Sequence, residues 1–196
     1  YDGSASTYAD QYDEKKIWTN EEYPANFFRL KLVRKLLTDA GVKSLYEHGV
    51  GDATPLVTIA GDGIRVAGND ISPEMVKFAR TNLINHGLDP GAVNLLDVQS
   101  QDAINAERER AGEFEAVMAL GVIPHVEDDR WFVASMDKFM APGGRMLLQF
   151  RNSMFSMFTF NRLTKEFVMD ELLPDVPDSV RLVVKTDLDR RLAVGK

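Results

Sequence analysis

The stretch that decides the fold is residues 44–53, SLYEHGVGDA, in which a short apolar run ends in a glycine-rich turn. The run at Ser44–His48 predicts a buried strand, because short apolar runs bounded by turn residues are typical of strands covered on both faces. Gly49 and Gly51 have no Cβ and tolerate positive φ, so a ligand can approach the backbone of this turn closely. A second apolar run, Arg65–Asp70, predicts a second strand that ends in a carboxylate.

Asp70 follows the glycine turn by about 20 residues and stands at the tip of the second predicted strand. A carboxylate at this spacing can accept hydrogen bonds from both hydroxyls of a ribose. The turn and Asp70 together therefore predict a pocket for an adenine nucleoside.

Predicted strands and helices alternate along the chain around these two strands. Such alternation is typical of right-handed crossovers and of a mostly parallel sheet with helices on both faces. We predict an α/β fold with a doubly wound, mostly parallel sheet, an N-terminal helical flap and an insertion after the fifth strand. The further strands are predicted at residues 92–96, 115–121 and 145–150, and the helices at residues 24–40, 55–60, 73–85, 100–110 and 127–140.

Beyond Phe150 the pattern changes. Residues 151–160 are rich in Met and Phe, and they precede a predicted helix at 161–173 and a predicted strand at 180–185. A last strand is expected to begin within 187–196. Because the chain starts at Tyr1 rather than Met and ends where that strand begins, we expect both termini to be incomplete.

The length of 196 residues predicts one domain with a full core. We divide it into a flap and first helix, a cofactor-binding core, and a substrate-side insertion with the last strands. These parts span residues 1–40, 41–151 and 152–196.

The composition narrows the range of functions. The formal net charge is −7, whereas proteins that bind a phosphate backbone usually present a basic surface, so we expect no nucleic-acid partner. The chain has no cysteine, which excludes a disulfide framework and a cysteine nucleophile. No apolar run is long enough to span a bilayer and no signal-peptide pattern opens the sequence, so a cytoplasmic protein without a membrane partner is expected.

Over about residues 36–151 the sequence resembles the class I S-adenosylmethionine (SAM)-dependent methyltransferases. The family's first motif is an acidic residue followed by Gly-x-Gly-x-Gly, which Glu47, Gly49 and Gly51 match, with Ala53 in place of the last glycine. Because alanine is small, we expect only a slightly tighter turn. The resemblance implies SAM as cofactor and methyl transfer to an oxygen or nitrogen of a small-molecule acceptor.

The resemblance also implies roles for residues at the other strand ends. Asp70 would hold the ribose hydroxyls, and Ile71 would pack on the adenine. Asp97 would accept a hydrogen from the adenine amino group, with Val98 beside it. Leu120 would lie along the methionine part of the cofactor.

A nicotinamide cofactor is the main alternative to SAM. A dinucleotide fingerprint requires Gly-x-Gly-x-x-Gly, but Thr54 occupies the third glycine position here and Pro55 follows it. Glu47 would repel a pyrophosphate and would suit the ammonium and sulfonium of SAM. The residues therefore favour SAM, with an NAD-dependent oxidoreductase or a non-catalytic nucleoside-binding protein of the same fold as alternatives.

His125 is the candidate general base. It follows the fourth predicted strand, near the expected methyl group, and an imidazole ordinarily titrates near neutral pH. The alternative is that His125 only shapes the turn into the next helix. His48 is expected to be packed and hydrogen-bonded, and His86 to cap a helix end.

Four aromatic residues have two interpretations each. Tyr8 and Tyr12 resemble tyrosines of a flap that closes over the cofactor in small-molecule methyltransferases, but they also fit surface packing. Phe155 and Phe158, within the Met- and Phe-rich segment, suit an apolar lid over the acceptor as well as a packed core.

The sequence predicts no metal and a small acceptor. Asp128 and Asp129 fit the N-terminus of a predicted helix, where acidic side chains are favoured, so they do not require a metal. Arg151 and Asn152 do not complete an oxygen site for magnesium. Residues 119–122, ALGV, lack the Asn/Asp-Pro-Pro-Tyr/Phe loop of nucleic-acid amino-methyltransferases. With the acidic charge, this favours a small molecule.

Overall fold

A computed structural model describes residue 12 and residues 25–98, 100–150 and 161–193. The chain divides into two compact units, Tyr1–Gln149 and Phe150–Lys196, each of which has its own internal contacts. Among the described residues, no helix has both the length and the apolar character needed to cross a membrane.

The described part of the first unit is a parallel sheet whose strands alternate with helices. The strand order is β3-β2-β1-β4-β5, and every neighbouring pair is parallel. This confirms the predicted doubly wound α/β fold. The elements in chain order are α1 (Ala25–Asp39), β1 (Ser44–His48), α2 (Thr54–Ala60), β2 (Arg65–Asp70), α3 (Pro73–Asn85), β3 (Val93–Leu95), α4 (Gln101–Ala111), β4 (Phe114–Ala119), α5 (Asp129–Asp137) and β5 (Met140–Leu148).

Local capping sets the helix boundaries. Ser72 accepts a hydrogen bond from the Met75 amide at the start of α3, and Asp128 accepts from the amides of Arg130 and Trp131 at the start of α5. At the end of α3, the His86 ring donates from Nδ1 to the carbonyl of Asn82 at 2.8 Å. The capping roles predicted for Asp128 and His86 are confirmed.

Both faces of the sheet are covered by apolar side chains. On one face, Leu30, Leu37 and Leu45 belong to a cluster with residues of α2 and α3. On the other face, Tyr46 and Val117 pack with residues of α4 and α5. Because the strand order reverses between β1 and β4, a crevice opens at the carboxyl ends of these two strands, which is where such sheets bind ligands.

β5 begins five residues earlier than predicted, at Met140. The Phe114 amide donates to the Phe139 carbonyl at 2.8 Å, so the chain pairs with β4 directly after α5. The register then shifts between Phe114 and Ala116, which accommodates Pro142 and Gly143 as a bulge. The predicted helix at 127–140 is therefore shorter, and ends at Asp137.

The described residues of the second unit are helical. α6 (Arg162–Glu166) continues into a π-helical segment (Phe167–Leu172), and α7 (Asp178–Ala193) follows. Asn161 accepts from the Leu163 amide, and Thr164 accepts from the Asn161 amide in return. This capping box confirms the helix predicted from residue 161.

The strands predicted at 180–185 and from residue 187 onward are wrong, because α7 spans both. The less exposed side chains of α7 recur at helical spacing, and Asp187 pairs with Arg190 and Arg191 one turn later. Val180, Val183 and Val184 disfavour a helix by only a few tenths of a kcal/mol per residue, which ion pairs within α7, such as Asp187 with Arg191, help to offset. The error came from taking Val180, Val183 and Val184 as a strand signal, although valine is compatible with a helix as well.

Candidate functional site

A cavity of about 330 Å³ occupies the crevice at the carboxyl ends of β1, β2 and β4. Its walls combine the glycine turn after β1, the end of β2, the segment after β3 and the loop after β4. The lining residues are Gly49, Gly51, Asn69, Asp70, Ile71, Ser72, Met75, Leu96, Val98, Leu120, Gly121, Val122, His125 and Val126.

The glycine turn is tied to the end of β2 by main-chain hydrogen bonds. The amides of Gly49 and Val50 both donate to the carbonyl of Asn69, at 2.8 and 3.0 Å. Gly49 has a φ of +71°, and a Cβ at this position would lie 2.4 Å from Cγ2 of Val122. Only glycine therefore allows the turn to pass so close to the loop after β4.

Ala53 takes the left-handed conformation that the missing glycine would take. Its φ is 61° and its ψ is 18°, and the residue is completely buried at the start of α2. This conformation costs an alanine about 1–2 kcal/mol. Asp52 accepts from the Thr54 amide and hydroxyl, and so caps the helix beside it. The substitution of alanine for glycine in this motif therefore places backbone strain at Ala53, while the expectation of a slightly tighter turn stays a prediction.

Asp70 lies at the base of the cavity, with its carboxylate held in place by two amides. Oδ2 accepts from Gly51 and Oδ1 accepts from Ser72, both at 2.9 Å. A carboxylate has about four acceptor positions, so positions remain for two further donors. This matches the chemistry expected of a group that binds a ribose diol.

Glu47 lies behind the glycine turn and does not line the cavity. Burial raises its pKa well above the ordinary value; the positive charge of Arg29 opposes this shift, while Asp70 and Asp52 add to it. Among the described residues, Oε2 of Glu47 has no hydrogen-bond partner. A buried carboxylate with an orphaned oxygen is suited to a cationic group of a ligand.

Arg29, which the sequence reasoning did not single out, lies close enough to Glu47 to affect its pKa. It extends from α1, with Nη1 on Oε1 of Gln149 at 2.6 Å and Nη2 on the hydroxyl of Tyr12 at 3.0 Å. The signal in the sequence was a cation in the helix before the first motif. Tyr12 therefore contacts Arg29 and does not line the cavity.

The remaining predicted site residues are placed as follows. Ile71, Val98 and Leu120 line the cavity, whereas Asp97, between the lining residues Leu96 and Val98, does not. His125 ends a short 3₁₀ turn, Ile123–His125, after β4, and lies exposed at the cavity wall. The predicted residues Tyr8, Phe155 and Phe158 lie outside the described residues.

The cavity is also lined by apolar residues to which the sequence analysis gave no role. Met75 comes from the first turn of α3, and Val122 and Val126 from the loop after β4. A second cavity of about 250 Å³ shares Val98 and Val126 with the first and is also lined by Trp131. Apolar residues in loops carry no signal beyond their position at a strand end.

A family model described as a methyltransferase domain matches residues 46–148. This span is more than half of the chain and contains every residue that lines the main cavity. The chain belongs to this methyltransferase family. The resemblance read from Glu47, Gly49 and Asp70 is confirmed, and nothing supports the alternative of an NAD-dependent oxidoreductase.

Two curated relatives of this methyltransferase domain are named ubiquinone biosynthesis O-methyltransferase. The protein of Xanthomonas axonopodis pv. citri is 31% identical over 149 residues, which cover 76% of this chain and 59% of the relative. The protein of Aromatoleum aromaticum is 26% identical over 148 residues, covering 76% of this chain and 61% of the relative. The chain thus spans about three fifths of the length of these relatives.

A solved structure shares the fold of this methyltransferase domain. It is the domain described as StiE O-MT, with a TM-score of 0.52, 16% identity, and coverage of 64% of this chain and 44% of that one. At this identity the likeness shows the fold alone.

Proposed function

We propose that this chain binds SAM and transfers a methyl group to an oxygen or nitrogen of a small-molecule acceptor, as a single methyltransferase domain. The observation that carries the proposal is one cavity in which the glycine turn, Asp70 and His125 meet, inside the span that matches the methyltransferase family. The proposal gives SAM the place of cofactor.

The residues of the site fit SAM on three observations. Asp70 has free acceptor positions at the cavity base for the ribose hydroxyls. Oε2 of Glu47 is buried without a partner and suits the ammonium. Arg29, which interacts electrostatically with Glu47, suits the carboxylate of the same amino-acid end.

Further cavity residues complete the proposed binding mode. Ile71 and Val98 supply apolar contact for the adenine, and Leu120 supplies contact along the methionine part. Asp97 stays the proposed acceptor for the adenine amino group, and Tyr12 acts through Arg29.

Bound SAM supplies a methyl group on a sulfonium, which a nucleophile can take by direct displacement. The protein has to align the acceptor and exclude water, and alignment alone can lower a barrier by about 7–11 kcal/mol. Apolar side chains of Val122 and Val126 exclude water from the wall beside His125. When the acceptor carries a proton, His125 takes it on a ring nitrogen and returns it to solvent from its exposed position.

The proposal favours oxygen as the acceptor atom, because the curated relatives are named for O-methylation. A small molecule is supported by the net charge of −7 and by the ALGV sequence at 119–122. Phe155 and Phe158 are proposed to cover the acceptor. No metal, nucleic-acid or membrane partner is part of the proposal, and the cytoplasm is its proposed location.

Calorimetry with SAM, S-adenosylhomocysteine and NAD tests the proposal directly. We expect binding of the first two and none of NAD. Asp70→Ala is expected to weaken binding by about 1.5–3 kcal/mol, the range for a hydrogen bond to a charged group. Asp89→Ala is the matched control, because Asp89 also accepts from a backbone amide, that of Gly91, but lies before β3 and away from the cavity.

Turnover is tested by incubating the protein with radiolabelled SAM and a panel of phenols, alcohols and amines. Transfer of label to a phenol or alcohol is the expected result. Binding of SAM without transfer to any acceptor would support the non-catalytic alternative, and preference for NAD over SAM would contradict the whole proposal.

A further inference from the structure

A chain of hydrogen-bonded side chains runs through the core, among the residues that pack against α4 and α5. Arg110 contacts Glu107 twice, with Nη2 to Oε1 at 2.6 Å and Nε to Oε2 at 2.9 Å. The hydroxyl of Tyr46 lies 2.9 Å from Oε1 of Glu107 and 2.9 Å from Nδ2 of Asn69. Nδ2 of Asn69 also lies 2.9 Å from Nδ1 of His48. Arg110 is exposed and the other four residues are buried; we call the five residues the polar network.

Chemistry sets the direction of each hydrogen bond in this network. Burial alone would raise the pKa of Glu107, but hydrogen bonds from Arg110, Tyr46 and Asn94 bring that pKa below its ordinary value. The group is thus a carboxylate, which only accepts, so the Tyr46 hydroxyl donates to it. The hydroxyl oxygen then accepts from Nδ2 of Asn69. The reversed amide orientation would place Oδ1 of Asn69 against the hydroxyl oxygen of Tyr46, whose hydrogen is already donated to Glu107.

The orientation of Asn69 in turn determines the state of His48. Its second N–H points to Nδ1 of His48, which must accept, so the neutral ring carries its hydrogen on Nε2. The ring packs edge-on against Phe139 and Phe132, with centroid distances of 5.0 and 5.8 Å. The Glu107 carboxylate therefore determines the tautomer of His48, through the hydrogen bonds of Tyr46 on β1 and Asn69 on β2.

Asn69 connects the network to the cavity. Its side chain belongs to the network, while its carbonyl accepts the amides of Gly49 and Val50. The next residue is Asp70, which accepts the Gly51 amide. A displacement of the Asn69 main chain would move the glycine turn and the Asp70 carboxylate together, and the side-chain hydrogen bonds of Asn69 oppose such a displacement. Small displacements in a binding site have large effects.

The network is costly for stability alone. The Arg110–Glu107 pair is half-exposed, and such pairs contribute little to stability, while the buried polar groups of the other members carry a desolvation cost. The hydrogen bonds of the network instead restrict its members to one arrangement, although Oδ1 of Asn69 and Nε2 of His48 have no partner among the described residues. We infer that Tyr46 and Glu107 are positioning residues for the cofactor site, acting through Asn69 on the glycine turn and on Asp70. This inference rests on the proposed function, because it takes SAM as the ligand whose affinity depends on that geometry.

Tyr46→Phe is the decisive variant. It removes one hydroxyl and keeps the ring stacked on Phe139, at a centroid distance of 4.4 Å in the native protein. Calorimetric titration with S-adenosylhomocysteine is expected to show a Kd raised about three- to tenfold, the range for one hydrogen bond. Nitrogen NMR of the histidine rings is expected to show that His48 no longer holds a single Nε2–H tautomer. The reason is that the Asn69 amide has lost the hydroxyl of Tyr46 to which it donates, so its orientation is no longer fixed.

Ser135→Ala is the matched control. Ser135 is also buried, and its hydroxyl donates to the Trp131 carbonyl within α5, outside the network. We expect the melting temperature of this variant to fall by about as much as that of Tyr46→Phe, whereas its Kd and its His48 tautomer stay native. Equal changes of Kd in both variants, or an unchanged Kd and tautomer in Tyr46→Phe, would overturn the inference.

A pair of variants at Glu107 separates the hydrogen bond from the packing. Glu107→Gln keeps an acceptor for Tyr46 and is expected to retain the tautomer and most of the affinity, whereas Glu107→Leu is expected to lose both. The opposite order would overturn the inference. Wild-type protein that fails to bind S-adenosylhomocysteine would overturn the proposed function and the inference with it. Wild-type protein that binds it, with the same Kd in the network variants, would overturn the inference alone.

Discussion

At the scale of single residues, we predict that Glu47 couples ligand binding to protonation. Its raised pKa means that the proton is held to a higher pH than on an ordinary carboxyl group. A cationic ammonium prefers the ionised form, so binding expels the proton and affinity rises with pH until the raised pKa is passed. Calorimetry in buffers of different ionisation enthalpy is expected to show proton release when SAM binds.

Glu47→Gln removes the titrating group, so we expect weaker binding with no proton release. Glu115→Gln is the control, because its carboxylate accepts from the Lys43 amide at the opposite end of the sheet. A native affinity that is constant with pH, or proton release that survives in Glu47→Gln, would contradict this role of Glu47.

His125 carries the second prediction at this scale. If it takes the acceptor's proton, His125→Ala lowers turnover by about 10²–10⁴-fold, the usual range for general base catalysis, and leaves SAM affinity nearly unchanged. Steady-state kinetics with the acceptor found in the panel, together with calorimetry, measure both quantities. His86→Ala, which removes a helix cap remote from the cavity, should leave turnover native. Near-native turnover in His125→Ala would make His125 a scaffold residue of the turn after β4.

At the scale of elements, the turn between β1 and α2 depends on its contact with the loop after β4. Gly49→Ala and Gly143→Ala both place a Cβ at positive φ, with φ values of +71° and +77°. Only the first meets a neighbour, at 2.4 Å from Val122. Both variants pay about 1–2 kcal/mol of backbone strain, but we expect only Gly49→Ala to lose SAM binding. Thermal melts and calorimetry on the pair test this, and an equal loss of binding would attribute the effect to strain.

The segment at residues 151–160 carries a further prediction at this scale, although it lies outside the described residues. Replacing Phe155 and Phe158 together by alanine is expected to raise the acceptor's KM and to leave SAM affinity nearly native. Phe78→Ala, on the exposed side of α3, is the control. Folding is checked first, because each lost phenylalanine costs about 1.5–3 kcal/mol if it is buried. Equal losses of SAM and acceptor binding would identify the segment as core.

At the scale of the whole molecule, the buried His48 makes stability depend on pH. Burial lowers its pKa to about 4, against about 6.5 in an unfolded chain. Above pH 6.5 neither state is protonated and stability is complete. As the pH falls from 6.5 to 4, the unfolded state gains a proton that the folded state does not, so about 3 kcal/mol is lost, with no further loss from His48 below pH 4.

Urea unfolding of wild type and His48→Leu over pH 4–8 isolates this contribution. The Glu47 carboxyl acts in the opposite sense, since its raised pKa adds stability as the pH falls, but it is common to both proteins and cancels in the difference. The difference in unfolding free energy is expected to shrink as the pH falls from 6.5 to 4. A constant difference would show that His48 is protonated in the folded state as readily as in the unfolded state.

The sequence alone determined the α/β architecture and the elements that build the cavity. Ser44–His48, Arg65–Asp70 and Pro73–Asn85 have the predicted bounds, because apolar runs and the glycine turn are local signals. The placement of Asp70 beside the glycine turn followed from the same reasoning, since parallel strands bring their carboxyl ends to one edge.

Only the tertiary structure decided which side chains meet across that edge. Arg29 is 18 positions before Glu47, and Val122 reaches Gly49 from the loop after β4. Glu107, on α4, orients Asn69 through Tyr46. None of these pairs leaves a local pattern, because each contact depends on how two distant elements pack. The helical α7 shows the same limit from the opposite side: a run of valines is compatible with strand or helix, and the longer context decides.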